Sequence, residues 1–274
     1  MRTAILHSNP EHHVILSLHD RLFLGESLFE TLKIEDGRIC YPILHWERLK
    51  LSASELGIPF SISAEVWFAE LEENIVNAKL VNGGIKVILT GGIAPRGLVA
   101  NAEESCLLLH NFSFQMVSNP LRLKTSSWRR DAKNPIYRHK TINYLESILA
   151  RREAAETSAD DVLFLNSEDH LSETTVANIF LIKNEQIYTP SLTCGVLPGI
   201  IRNRVLALCK RHNIVSDEAL LTRKDILDAD AVFVTNSLQG IMAVASLDNT
   251  EFDTAAPLLT TLINFLRNDL FDNL

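Results

Sequence analysis

Residues 161–190, DVLFLNSEDHLSETTVANIFLIKNEQIYTP, constrain the fold of this chain more than any other stretch. Three β-prone runs, DVLFLN, LSETTVANIFLIK and QIYTP, are separated only by SEDH and NE, both short and turn-prone. The stretch reads as a meander of strands.

Helical patterns flank it. On the amino side, the chain from about Thr141 to residue 156 (TINYLESILARREAAE) reads as a helix; on the carboxyl side an amphipathic helix from about Ile200 to His212 turns Val205, Leu208 and Cys209 inward. ADAVFVTNSLQGIMAVASL supplies two more strands around a polar loop, and APLLTTLINFLRNDLF a closing helix. The first part of the chain forms a separate pattern. VILSLHD and SLFETLKIEDGRICY read as strands, with Asp36-Gly37 as a hairpin signal. LHWERLKLSASELG places Trp46, Leu49, Ala53 and Leu56 on one helical face and stops at Gly57. AEVWFAELEENIVNAKL is a second helix, and GIKVILT and ESCLLLHNF are two buried strands. Around Ser118-Asn119-Pro120 the pattern lapses. The expectation is an α+β protein with an N-terminal domain over 1–115, a linker over 116–124 and a C-terminal domain over 125–274.

Composition narrows the function classes. With 274 residues, 46% hydrophobic and 22% charged, the chain is globular. No apolar run approaches the roughly 18–20 residues that span a bilayer, and MRTAILHSNPEHH breaks into polar residues before a signal-peptide core forms, so a cytoplasmic protein is expected. The formal net charge of −8 argues against a general nucleic-acid binder. The four cysteines, Cys40, Cys106, Cys194 and Cys209, form no C-x-x-C pair and read as free thiols. His12-His13 reads as a surface loop, no H-E-x-x-H is present, and no metal is expected.

Several residues stand out chemically. RRDAKNPIYRHK, residues 129–140, sets Arg129, Arg130, Lys133, Arg138, His139 and Lys140 against the single acid Asp131, either a solvated surface or a site for a small anion. Its last three cations crowd the amino end of the following helix, where positive charge is disfavoured. In LSETTVANIF, alternation puts Glu173 on a face with Leu171, Thr175, Ala177 and Ile179, so the carboxylate sits at a wet strand end or meets a cation. CGVLPGIIRNRV opens a helix after Pro198-Gly199, leaving the amides of Ile200 and Ile201 to water or to an anion such as phosphate. TGGIAPRG lacks both dinucleotide and P-loop spacing.

Five blocks in order, LFETLKIEDGRI…LHWERL, HKTINYLESILARREAAE, the meander, CGVLPGIIRNRV and VFVTNSLQGIMAV, resemble the fold-type IV (class IV) pyridoxal-phosphate enzymes from about Asp20 to Val244. The likeness is greatest to 4-amino-4-deoxychorismate lyases, with branched-chain and D-amino-acid aminotransferases as relatives. It implies the two-domain D-amino-acid aminotransferase-like architecture, pyridoxal 5'-phosphate as cofactor and a homodimer whose partner chain helps close the pocket. By resemblance, Lys140 matches the lysine that condenses with the cofactor aldehyde and shuttles protons, and Glu173 the carboxylate facing the pyridine nitrogen. Arg48 matches the phosphate-binding arginine, Tyr144 the phenol near the ring oxygen, Ile200 and Ile201 two phosphate-binding amides, and Asn236 and Ser237 the second phosphate loop. The cations beside Lys140 then gain a purpose: with the helix amino end they destabilise its ammonium form, as a nucleophile requires.

The implied reaction is elimination of pyruvate from aminodeoxychorismate to give 4-aminobenzoate, a folate precursor, with an aminotransferase as the alternative and a catalytically weak cofactor-binding paralogue as a second. The chain departs from the family pattern at Gly25-Glu26-Ser27, at Gly91, where relatives often carry arginine, and at Leu98, where an aromatic is common. That leaves Arg96, Arg138 or His139 as candidates to hold the substrate carboxylates.

Overall fold

The computed structural model describes residues 2–8 and 16–271. His12 and His13, and the beginning of the strand expected at VILSLHD, lie outside the described residues. The chain divides into two compact units, one of Met1–Gln115, Lys140–Asn143 and Leu270–Leu274, the other of Met116–His139 and Tyr144–Asp269. This differs from a contiguous division, and Leu270, expected in the C-terminal domain, already shows it by grouping with the first unit. Leu121–Arg130, which begins inside the expected linker, is a ten-residue strand, and Lys140, expected in the C-terminal domain, groups with the first unit.

In the first unit β1 (Arg2–Ser8), β2 (Ser27–Glu35), β3 (Arg38–Ile39), β4 (Gly83–Thr90) and β5 (Glu104–Phe112) form one sheet in the order β1-β5-β4-β2-β3. Asp36 and Gly37 take φ of 51° and 70°, the left-handed pair that a two-residue hairpin turn needs. The helices α1 (Pro42–Leu56) and α2 (Ala64–Asn77) cover one face. Leu49 and Ala53 of α1 and Trp67, Leu71 and Ile75 of α2 close against Leu28, Leu32, Ile34, Ile85, Val87 and Leu107 in a single core. Gly57 ends α1 in the left-handed conformation, as its position in the sequence predicts. The described part of VILSLHD is not a strand: Asp20 caps a short 3-10 turn, Arg21–Leu24, by accepting from the Leu22 amide.

The second unit holds β6 (Leu121–Arg130), α3 (Leu145–Glu156), β7 (Asp161–Asn166), β8 (Leu171–Thr174), β9 (Asn178–Lys183), β10 (Gln186–Pro190), α4 (Ile200–Arg211), β11 (Ser216–Ala219), α5 (Arg223–Leu227), β12 (Ala231–Asn236), β13 (Gly240–Leu247), β14 (Thr250–Glu251) and α6 (Pro257–Asp269). Its strands run β11-β10-β9-β12-β13-β6-β7-β8, with β14 on β13. The long strand expected at LSETTVANIFLIK is two strands. Thr174 closes a turn on Ala177, its amide donating to the Ala177 carbonyl at 2.9 Å and its hydroxyl accepting from the Ala177 amide at 3.1 Å. β8 and β9 therefore part to distant places in the strand order. The sheet curls, because the Leu171 amide donates to the Leu221 carbonyl just past β11. Inside the curl lie Leu163, Leu165, Ile179, Leu181, Val232, Val234 and Val244. On the opposite face Val162 and Phe164 pack with Ala150 and Ala154 of α3.

Candidate active site

Lys140 reaches its place through backbone pairing. β3 covers β2 only at Ile34 and Glu35, so the earlier edge of β2 is open to another segment. Residues 140–142 take it: the Phe29 amide donates to the Lys140 carbonyl at 2.8 Å and the Ile142 amide to the Ser27 carbonyl at 3.2 Å. The Asn143 side chain anchors the end of this segment on the Gly25 carbonyl at 3.1 Å. Lys140 Nζ stands 4.3 Å from the centre of the Phe29 ring, a cation–π contact. The helix expected from Thr141 begins only at Leu145, so Lys140 does not directly precede its first turn as the sequence suggested.

One residue along β2, Glu30 faces the core. Its neighbours on that face, Leu28, Leu32 and Ile34, are all at most 1% exposed. A lone carboxylate there would be costly, and two side chains from α1 meet it. Arg48 donates from Nε at 2.8 Å and from Nη2 at 2.5 Å, and His45 Nδ1 lies 2.6 Å away. Positions 45 and 48 are three apart, so both project from one side of the helix. Burial alone would raise the Glu30 pKa, but Arg48 and His45 overturn it and hold the carboxyl down at about 2. Burial pushes the His45 imidazole the other way, below its ordinary value, with Arg48 and Lys140 adding to the effect. Arg48 is the permanent cation facing this carboxylate, and a neutral imidazole can still donate to it through Nδ1–H.

In the second unit Glu173 has its cation. Arg130 Nη1 donates to Oε1 at 3.2 Å, while Oε2 accepts from Asn178 Nδ2 at 3.0 Å and from the Leu197 amide at 3.1 Å. Of the two readings left open, the paired one holds, and 13% of the side chain stays exposed. Asn178 Nδ2 also donates to the Leu197 carbonyl at 2.9 Å. Its Oδ1 would be 1.9 Å from a Cβ at position 199, which is why glycine precedes α4. No side chain caps that helix start, where Ile200 and Ile201 supply the first amides, so the end suits an anion. Asn236 ends β12, and its Oδ1 accepts from the amides of Leu238 and Gln239 at 3.1 and 2.9 Å, forming the turn that carries Ser237. Tyr144 is the half-buried residue before α3.

Within the first unit Lys140 and Arg48 both act on His45, while Arg96 is exposed on the loop after β4. The second unit brings Glu173 to the loop leading into Ile200 and Ile201, and places Arg138, exposed, and His139, half-buried, at the end of the 3-10 turn Pro135–Arg138. Sequence reasoning gave no role to Glu30, His45, Arg130 or Asn178. Glu30 was detectable, because strand alternation puts an acid among leucines. The departures also have local causes. A Cβ at position 91 would stand 2.1 Å from the Glu26 carbonyl oxygen and 2.8 Å from Arg21 Cβ, so no arginine fits there. Glu26 is held by Arg21 Nη1 at 2.9 Å, and the Ser27 hydroxyl accepts from the Gly91 amide at 3.1 Å. Leu98 is exposed.

The family model described as amino-transferase class IV matches residues 27–247. The chain belongs to the class IV aminotransferase family. An aminodeoxychorismate lyase of Vibrio harveyi is 30% identical over 88% of this chain and 90% of its own. A D-alanine aminotransferase of Bacillus licheniformis is 27% identical over 88% and 86%. Among solved structures, a Legionella pneumophila protein provisionally named 4-amino-4-deoxychorismate lyase superposes with a TM-score of 0.95 at 45% identity, covering 98% of this chain and 100% of that one. Like these class IV relatives, the chain is an enzyme with the mixed helix-and-strand fold. Among the described residues no group of histidine, cysteine, aspartate and glutamate is placed to hold a metal, and no helix is long and apolar enough to cross a membrane.

Proposed function

We propose that the protein is a 4-amino-4-deoxychorismate lyase working with pyridoxal 5'-phosphate. The observation that carries this reading is the near full-length likeness to the Legionella protein, at 45% identity. The side chains fit the cofactor. Glu173 offers a partly exposed carboxylate with a fixed orientation, suited to a ring N–H, and α4 offers an uncapped amino end suited to a phosphate.

When bound, pyridoxal phosphate supplies an aldehyde that links to amines and a ring that withdraws electrons from the amine-bearing carbon. Lys140 would provide the link, and its Nζ would take the C4 proton of aminodeoxychorismate. Loss of that proton and of the enolpyruvyl group by C–O cleavage leaves 4-aminobenzoate, and the enolpyruvate released becomes pyruvate. Glu173 would hold the ring nitrogen; Arg48, the Ile200 and Ile201 amides, Asn236 and Ser237 would bind the phosphate; Tyr144 would lie by the ring oxygen. Arg96, Arg138 and His139 remain the proposed contacts for substrate carboxylates. A homodimer is supported by Leu145, Ile148 and Leu149, which share one face of α3 and are 45–66% exposed. A place in folate synthesis follows from the proposed product, and a reducing, cytoplasmic setting is supported by the four free cysteines.

The test is incubation of the holoenzyme with aminodeoxychorismate and assay of products. Equal amounts of pyruvate and 4-aminobenzoate are expected, and Lys140→Ala should lose at least about a thousandfold in rate. The likeness to D-alanine aminotransferase supports a second reading; keto acids formed from D-alanine or branched-chain amino acids, with no 4-aminobenzoate, would establish it instead.

A further inference from the structure

Arg130 is nearly enclosed, its side chain 5% exposed. It was one of six cations in a basic stretch, yet it does not behave as surface charge. Nε donates to Glu146 Oε2 at 2.8 Å and Nη1 to Glu173 Oε1 at 3.2 Å, so one guanidinium joins two carboxylates. The Phe164 ring lies 3.8 Å beneath its central carbon and the Tyr137 ring 4.9 Å away. Tyr137 in turn donates its hydroxyl to Glu146 Oε1 at 3.0 Å. Burial and Glu146 push that phenol up to about 12, so it stays a donor at neutral pH.

We infer that Arg130, anchored by Glu146 and Tyr137 and stacked on Phe164, is a positioning residue that fixes the Glu173 carboxylate and keeps the proton of a bound pyridinium ring on the ring nitrogen. The inference rests on the reading of Glu173 as the ring-nitrogen partner and adds to it a residue that does not touch the cofactor. The physical reason is electrostatic. A cation against Glu173 disfavours a proton on the carboxylate, so a proton shared between carboxylate and ring rests on the ring. Glu146 matters because it fixes the guanidinium from its far edge, leaving Nη1 aimed at Glu173. A lysine could supply the charge but not the planar fork or the ring stacking.

The measurement is the 15N resonance of ring-labelled pyridoxal phosphate bound to the full-length protein, together with its dissociation constant by equilibrium dialysis. In Arg130→Gln the resonance should move toward the neutral-pyridine position. In Arg130→Lys it should stay at the protonated position while cofactor affinity falls about tenfold, the loss expected for a charge-assisted hydrogen bond. A folded Arg130→Gln that binds cofactor with the parent resonance overturns the inference, because a purely structural arginine would alter affinity alone. Should Arg130→Gln not fold, Arg130→Met, which removes the charge and keeps an apolar stack on Phe164, decides by the same resonance, and the parent resonance in it overturns the inference equally. Failure of the unaltered protein to bind pyridoxal phosphate would instead overturn the cofactor reading itself.

Discussion

Glu30 in the first unit and Glu173 in the second are both strand carboxylates met by an arginine, and they differ in what is left over. Glu30 is sealed, 1% exposed, with both oxygens taken by Arg48 and His45 from one helix. Glu173 accepts from β6, from β9 and from the loop before α4, and 13% of it remains exposed. A carboxylate at the centre of a hydrophobic face is closed to a ligand and acts only through the side chains it holds. One at the end of a short strand, fixed from behind, can hold structure and still present an edge to a ligand.

Substitutions can break this comparison. Glu30→Gln should destabilise the fold by about 3–5 kcal/mol in chemical denaturation, because the buried Arg48 loses its counter-charge; a loss below about 1 kcal/mol would show Glu30 to be no more structural than Glu173. The pH dependence follows from the same contact. The folded pKa of Glu30, about 2, lies below its ordinary value of 4.5, so the folded state binds fewer protons than the unfolded one between these values. Its stabilisation is complete above about pH 4.5 and is lost as pH falls toward 2, on the order of 3 kcal/mol in all. Denaturation curves over this window should be steeper in pH for the parent than for Glu30→Gln.

Glu173→Gln should show the reverse balance: a loss of about a hundredfold or more in turnover, but less than about 2 kcal/mol in stability, since Glu146 still compensates Arg130. Comparable losses of stability in the two variants would remove the distinction. Tyr137→Phe is the mildest probe. It deletes only the 3.0 Å hydrogen bond to Glu146 and should cost about 1 kcal/mol, read as a small drop in Tm.

Much of the fold was legible because its signals are local. The Asp36-Gly37 turn, the stop at Gly57 and the inward face of α4 each depend on a few neighbouring residues, and each stands where the pattern puts it. β6 was missed because LRLKTSSWRR carries a weak apolar alternation; pairing with β13 and β7 on both sides makes it a strand. The break in LSETTVANIFLIK was missed because Thr174 reads as a strand former, and only its hydroxyl contacts with Ala177 reveal the turn. For α5 a signal existed and was overlooked: Thr222 and Asp225 form a capping box.

By itself the sequence determined most helices and strands, the amphipathic faces and, through motif order, the family, because periodicity and turn chemistry act over a few residues. Only the tertiary structure decided where the charges go. It laid Lys140 along the edge of β2, closed Glu30 under Arg48 and turned Arg130 from a member of a basic run into the partner of Glu173. Charge pairing joins residues 18 and 43 positions apart, and its strength is set by distance and burial, quantities that exist only once the chain has folded.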